Sequence, residues 1–108
     1  MDIGLGVPSG GDSWKIVERA EELGFDYAWF YDTQQLCGDV FMAMAAAAMR
    51  TKKIKLATGV LIPSNRIAPV TANAFATLNA MAPGRAHFGV GTGFTGRRTM
   101  GYGAMKMD

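Results

Sequence analysis

Asp32, the run Thr58-Gly59-Val60 and the run Gly91-Thr92-Gly93 are the residues of this chain whose types and positions could do chemistry. Each of the three sets follows or closes an apolar run: Tyr27-Ala28-Trp29-Phe30-Tyr31 stops at Asp32, residues 54–57 lead into Thr58, and residues 86–90 lead into Gly91. A carboxylate beside Thr33 and Gln34 at a strand tip can hold the polar edge of a ligand, or it can simply start a turn, which aspartate favours on backbone grounds. Position alone weighs these two readings evenly. A glycine at the end of a β-branched strand marks either a bare bulge or a place where something flat approaches the backbone. Gly91-Thr92-Gly93-Phe94-Thr95-Gly96 satisfies the G-x-G-x-x-G spacing after a strand. A dinucleotide fingerprint needs in addition a helix opening inside the glycines and an acidic residue about 20 positions on. The stretch Arg97-Arg98-Thr99-Met100-Gly101-Tyr102-Gly103 reads as poor helix, so these glycines are expected to let the backbone pass close beneath a ligand or turn tightly at a rim.

The elements that would carry these residues form three strand-then-helix units. Residues 3–7 precede a helix from about Ser13, residues 27–31 one from about Asp39, and residues 54–60 one from about Pro69; a fourth strand is expected over 86–90. Strands alternating with helices imply an α/β chain with a parallel sheet, because a parallel neighbour is reached only by a long crossover. In such folds ligands sit at the carboxyl ends of the strands. Asp32, Gly59 and Gly93 are therefore expected on one rim. Asp12 or Ser13 can cap the first helix, Trp14, Val17 and Ala20 mark its apolar face, Gly24 ends it, and its glutamates, Glu21 among them, read as a wet side. The run 27–31 is apolar enough to be covered on both faces. The second helix, with Asp39 at its amino end and Arg50 at its carboxyl end, is apolar nearly all round, and Met42, Met44 and Met49 read as packing groups. Arg66 is expected to face solvent rather than an anion, His87 to be structural, and Cys37 to be a bystander.

Eleven basic and nine acidic residues give a net charge of +2, too balanced to point to nucleic acid. The longest low-polarity run, 40–49, is about half of what spans a bilayer, and the amino terminus lacks signal-peptide order. No membrane partner is expected, and a single cysteine fits a cytoplasmic protein without disulfide or metal cluster. A closed eight-stranded barrel takes about 250 residues; four strands in 108 residues would be a small open sheet or the first half of such a barrel. A half barrel carries two raw sheet edges, so a homo-oligomer, or a complementing C-terminal half, is the expected partner.

Ile3-Gly4-Leu5-Gly6, Ala20-Glu21-Glu22-Leu23-Gly24-Phe25-Asp26, Trp29-Phe30-Tyr31-Asp32, Leu56-Ala57-Thr58-Gly59-Val60, Pro63, Arg66, Pro69, Ala82-Pro83-Gly84-Arg85 and Gly89-Val90-Gly91-Thr92-Gly93 follow one another along nearly the whole chain. In that order they resemble the bacterial luciferase-like flavin and deazaflavin oxidoreductases, in particular the N-terminal part of methylenetetrahydromethanopterin reductase-like members. The resemblance implies a TIM barrel of which residues 1–108 are strands one to four. It implies hydride transfer at FMN or at the deazaflavin coenzyme F-420 on a small-molecule substrate, with Asp32, Thr58, Gly59, Val60, Gly91, Thr92 and Gly93 near the ring and a non-proline cis peptide at Gly59-Val60. Thr33 stands where some relatives keep a catalytic histidine, and Phe94 where some keep a glutamate. No catalytic residue is therefore assigned. The relatives' later strands hold the cofactor phosphate, so the chain by itself is expected to bind cofactor poorly or not at all, and an inert half barrel that folds and self-associates is the alternative reading.

Overall fold

The computed structural model describes residues 1–104. Strand β1 (Gly4–Val7) is followed by helix α1 (Ser13–Glu22), β2 (Tyr27–Phe30) by α2 (Val40–Arg50), and β3 (Lys55–Thr58) by a 3-10 turn (Pro63–Asn65) and α3 (Ala68–Met81). Strand β4 (Ala86–His87) then leads to a short helix α4 (Phe94–Thr99). The four strands lie in chain order and every adjacent pair is parallel. Register pairs Val7 with Phe30 and Phe30 with Thr58, which brings all the carboxyl ends to one side. Strand alternation then divides the side chains between two faces.

One face meets the helices. Val7, Ala28, Phe30 and Leu56 bury themselves against Val17 and Ala20 of α1 and Val40, Met44 and Ala47 of α2. Each large side chain there contributes roughly 1.5–3 kcal/mol by leaving water. The alanines Ala43, Ala47 and Ala48 are buried, and their small size lets α2 fit closely between α1 and α3. Asp39 lies at the amino end of α2 as expected, and there it also caps the helix, its carboxylate accepting from the Met42 amide at 2.9 Å. Only Met44 among the α2 methionines packs; Met42 and Met49 are exposed, because the neighbouring helices flank α2 without covering its outer surface. At α1 neither candidate cap acts through its side chain: Asp12 makes no capping bond, and the Ser13 hydroxyl donates to the Pro8 carbonyl instead.

The other face carries Tyr27 and Trp29, stacked at 5.4 Å, with Lys55 and His87 around them. Gly4 leaves the space the Trp29 indole uses; a β-carbon there would stand 2.8 Å from its Nε1. Coverage on both faces does not hold for this strand. Trp29 is 38% and Tyr31 is 37% exposed, since the helices pack on the opposite face of the sheet and no described element packs over this one.

Glu21 is a second correction. Its Oε2 accepts the amides of Lys52, Lys53 and Ile54 at 2.9, 2.6 and 2.9 Å, fixing the turn that enters β3. Burial raises the Glu21 pKa, but those amides and the Arg85 charge more than offset it and hold the carboxyl below its ordinary range. Glu21→Ala is expected to cost about 2 kcal/mol in urea unfolding, the value of hydrogen bonds to a charged acceptor; a cost below about 0.5 kcal/mol would return Glu21 to the solvated face.

Candidate functional site

Beyond the carboxyl ends of β2, β3 and β4 a cleft of about 390 Å³ opens, walled on its sides by Gly59, Val60, Gly91 and Gly93 and bordered by Tyr31 and Asp32. The chain leaves β3 through a cis peptide bond between Gly59 and Val60. It is then tied to the strand beside it, the Leu61 amide donating to the Gly89 carbonyl at 2.7 Å and the Gly91 amide to the Leu61 carbonyl at 3.1 Å. The two backbone runs thereby lie side by side, Leu61 bridging to Val90, and together line the cleft. A β-carbon on Gly91 would stand 2.6 Å from Val60 Cγ2, so glycine there is what lets the Val60 side chain pack against the neighbouring run.

Of the seven residues singled out in the sequence, six line this cleft: Asp32, Gly59, Val60, Gly91, Thr92 and Gly93. Thr58 does not. It is fully buried one step behind, its hydroxyl donating to the Gly89 carbonyl at 2.8 Å and accepting the Gly89 amide at 3.0 Å. That exchange continues the pairing of the two strands where the regular ladder has ended.

The Asp32 carboxylate is wholly engaged by the chain. Arg66 grips it with two hydrogen bonds, Nη1 to Oδ2 at 2.9 Å and Nη2 to Oδ1 at 3.0 Å, while the Ile62 amide donates at 3.0 Å and Gln34 Nε2 at 2.7 Å. The side chains of Arg66 and Asp32 are 14% and 0% exposed. Burial alone would raise the Asp32 pKa; Arg66, the Ile62 amide and Gln34 override it and hold the carboxyl below its ordinary value. Arg66 is correspondingly pushed above its ordinary value, first by its hydrogen bonds to Asp32. Arg66 therefore does not face solvent. It lies over the Phe41 ring at 4.8 Å and locks the loop after β3 to the end of β2, which fixes the cleft wall. Nothing in the sequence spacing tied Arg66 to Asp32, 34 positions away.

The stretch after Gly93 is also corrected: it is helix α4. Gly93 takes a left-handed conformation, φ 69°, and Gly96 is buried against Asp32 and Thr33. The absence of side chains at Gly93 and Gly96 lets α4 sit down on Ile62, whose Cδ1 would be 2.6 Å from a β-carbon on Gly96. Ile62 carries no signal in the sequence, since an isoleucine beyond a strand end looks like any other. Among the described residues no cluster of His, Cys, Asp and Glu could hold a metal, and no helix is long and apolar enough to cross a membrane. The cleft lining mixes glycine backbone and threonines with Tyr31, Val60, Ile62 and Phe94, and its volume lies in the range of small-molecule sites.

A parallel four-stranded α/β sheet with its cleft at the strand ends is the architecture of barrel enzymes. The family model for luciferase-like monooxygenases matches residues 5–108, and the chain belongs to that family. It is 42% identical over 74 residues to 5,10-methylenetetrahydromethanopterin reductase of Methanolobus tindarius, covering 68% of this chain and 22% of that protein. It is 45% identical over 83 residues to F420-dependent glucose-6-phosphate dehydrogenase of Intrasporangium calvum, covering 69% of this chain and 25% of that protein. The chain thus spans about a quarter of the length of the curated relatives it matches. The solved coenzyme F420 dependent tetrahydromethanopterin reductase of Methanopyrus kandleri superposes with a TM-score of 0.79 at 32% identity, over 94% of this chain and 29% of that one. The oxygenating constituent of 3,6-diketocamphane monooxygenase of Pseudomonas putida, solved with FMN, superposes with a TM-score of 0.77 at 21% identity, over 94% of this chain and 33% of that one, and so speaks for the fold.

Proposed function

We propose that this chain forms the ring-binding side of an oxidoreductase in which hydride passes between FMN or the deazaflavin coenzyme F-420 and a small-molecule substrate. The observation that carries the reading is the single cleft lined by the cis-linked Gly59 and Val60 together with Gly91, Thr92 and Gly93. Gly59 and Val60 would back one face of the ring, and the Gly91–Gly93 backbone would border its edge. Thr92, exposed at the mouth, offers a hydroxyl to a polar ring atom. Asp32, with its carboxylate committed to Arg66, acts by positioning the loop rather than by exchanging protons. The redox chemistry itself is the cofactor's; the protein binds, orients and shields it. The relatives are about three times as long as this chain, and the complete site would draw on further strands, whether they follow in the same polypeptide, come from a complementing C-terminal half or are supplied by a second copy of the chain.

The exposed Trp29 and Tyr31 favour a second reading, an inert half barrel that associates through the sheet face its helices leave uncovered. Titration with FMN and with coenzyme F-420, followed by absorbance, separates the two. Saturable shifts of the chromophore band that vanish in Gly91→Val, whose side chain would collide with Val60 and displace the cleft lining, support the redox reading. A flat titration in the presence of a complementing half refutes it.

A further inference from the structure

Across α4 from the ring cleft lies a second cleft, of about 420 Å³, between the 3-10 turn and the residues after α4. Gln34, Ser64, Asn65, Arg66, Arg97 and Tyr102 line it, and no carboxylate does. Arg97 is its distinctive group. Nε donates to the Gly103 carbonyl at 2.7 Å and Nη1 to the Ser64 hydroxyl, while the Tyr102 ring lies 5.6 Å from the guanidinium carbon. These acceptors are neutral. A guanidinium has five N–H donors, and among the described residues the other donors of Arg97 find no acceptor and its charge no carboxylate partner. Arg66, the other arginine here, is compensated by Asp32.

The neighbouring polar groups complete a receptor for negative charge. The Ser64 hydroxyl accepts from Arg97 and so keeps its own proton to donate. Asn65 Nδ2 donates to Gln34 Oε1 at 2.9 Å, and Gln34 in turn holds Asp32, so the wall is anchored in advance to the buried ion pair. Preorganised donors lose little freedom when a ligand arrives, and a forked guanidinium matches phosphate and carboxylate geometry.

The geometry points to this cleft as an oxyanion subsite that takes the phosphate or carboxylate of a small molecule through Arg97 and Ser64. Arg97 and Ser64, the groups that would touch the ligand, do not line the ring cleft, so the assignment stands or falls apart from the redox reading.

The test is a titration of the full 108-residue chain with inorganic phosphate at constant ionic strength, read by ¹H–¹⁵N NMR, with malonate as a separate arm. Saturable shifts confined to Ser64, Asn65, Tyr102 and the Arg97 side chain are expected. Arg97→Gln should weaken binding about tenfold or more, as loss of a charge-assisted forked contact does. Ser64→Ala, too mild to unfold the chain, should weaken it roughly threefold, and Arg98→Gln should leave it unchanged. A malonate response assigns the site to carboxylates as well; a response to phosphate alone assigns it to phosphate esters. Shifts spread without saturation over Lys52, Lys53 and Arg98, no response at all, or an Arg97→Gln protein that titrates like the parent overturns the proposal.

Discussion

Arg66→Met is expected to lower the unfolding free energy by about 4 kcal/mol at pH 7, because breaking a buried ion pair from one side leaves the other charge uncompensated. Methionine keeps the apolar stem against Phe41, so the loss isolates the charge. The Asp32 side chain is fully buried, and after the substitution it retains only the Ile62 amide and Gln34 as donors. The pH dependence makes the cause visible. In the parent, Asp32 has its pKa below the ordinary 3.8, with burial opposing and Arg66, Ile62 and Gln34 prevailing. A depressed carboxyl stabilises the fold above its ordinary pKa, and that contribution disappears as pH falls from there through the folded-state value. In the variant burial is opposed only by the Ile62 amide and Gln34, so the Asp32 pKa should rise relative to the parent and acid should relieve the buried charge. The gap between parent and variant should therefore narrow steadily from pH 6 to pH 3. Urea unfolding at four pH values measures it. A gap that stays constant would show that Arg66 stabilises the chain only by packing.

How far the chain could be read in advance follows from the range over which each signal acts. The three strand-then-helix units, Asp39 at the amino end of α2 and the Pro69 helix start are local patterns, and they appear where expected. The convergence of Asp32, Gly59 and Gly93 needed one further step, the parallel order of the strands, and that too is legible in crossovers. What escaped depends on pairs far apart in sequence. Glu21 reads as one more exposed glutamate until the turn at Lys52 is folded against it, and Arg66 reads as a loop arginine until Asp32 is beneath it. Helix α4 was hidden by its glycines, which weaken a helix by propensity; here the absent side chains allow contact with Ile62 and Asp32, and tertiary packing outweighs propensity.

That packing makes Gly93 the position where a single methyl group should do most damage to the cleft. Gly93→Ala meets two separate penalties. The residue's φ of 69° lies in the left-handed region, which costs a non-glycine residue roughly 1–2 kcal/mol, and the new β-carbon would overlap Cγ1 and Cδ1 of Ile62. Overpacking of this kind adds about 1–3 kcal/mol, so a loss of about 3 kcal/mol in all is expected. Ile62 is buried, leaving the clash little room to relax except by lifting α4, and α4 carries the edge of the cleft. The two penalties separate in a double-mutant cycle. Ile62→Ala alone should cost about 3 kcal/mol through the cavity it leaves. Combined with Gly93→Ala it should remove the clash but not the backbone term, so the pair falls short of additivity by about 1–2 kcal/mol. Strict additivity would mean that α4 does not rest on Ile62. If the cleft also holds the cofactor ring, Gly93→Ala should abolish the absorbance shift while the Ile62→Ala combination partly restores it, a rescue that a purely global loss of stability cannot produce.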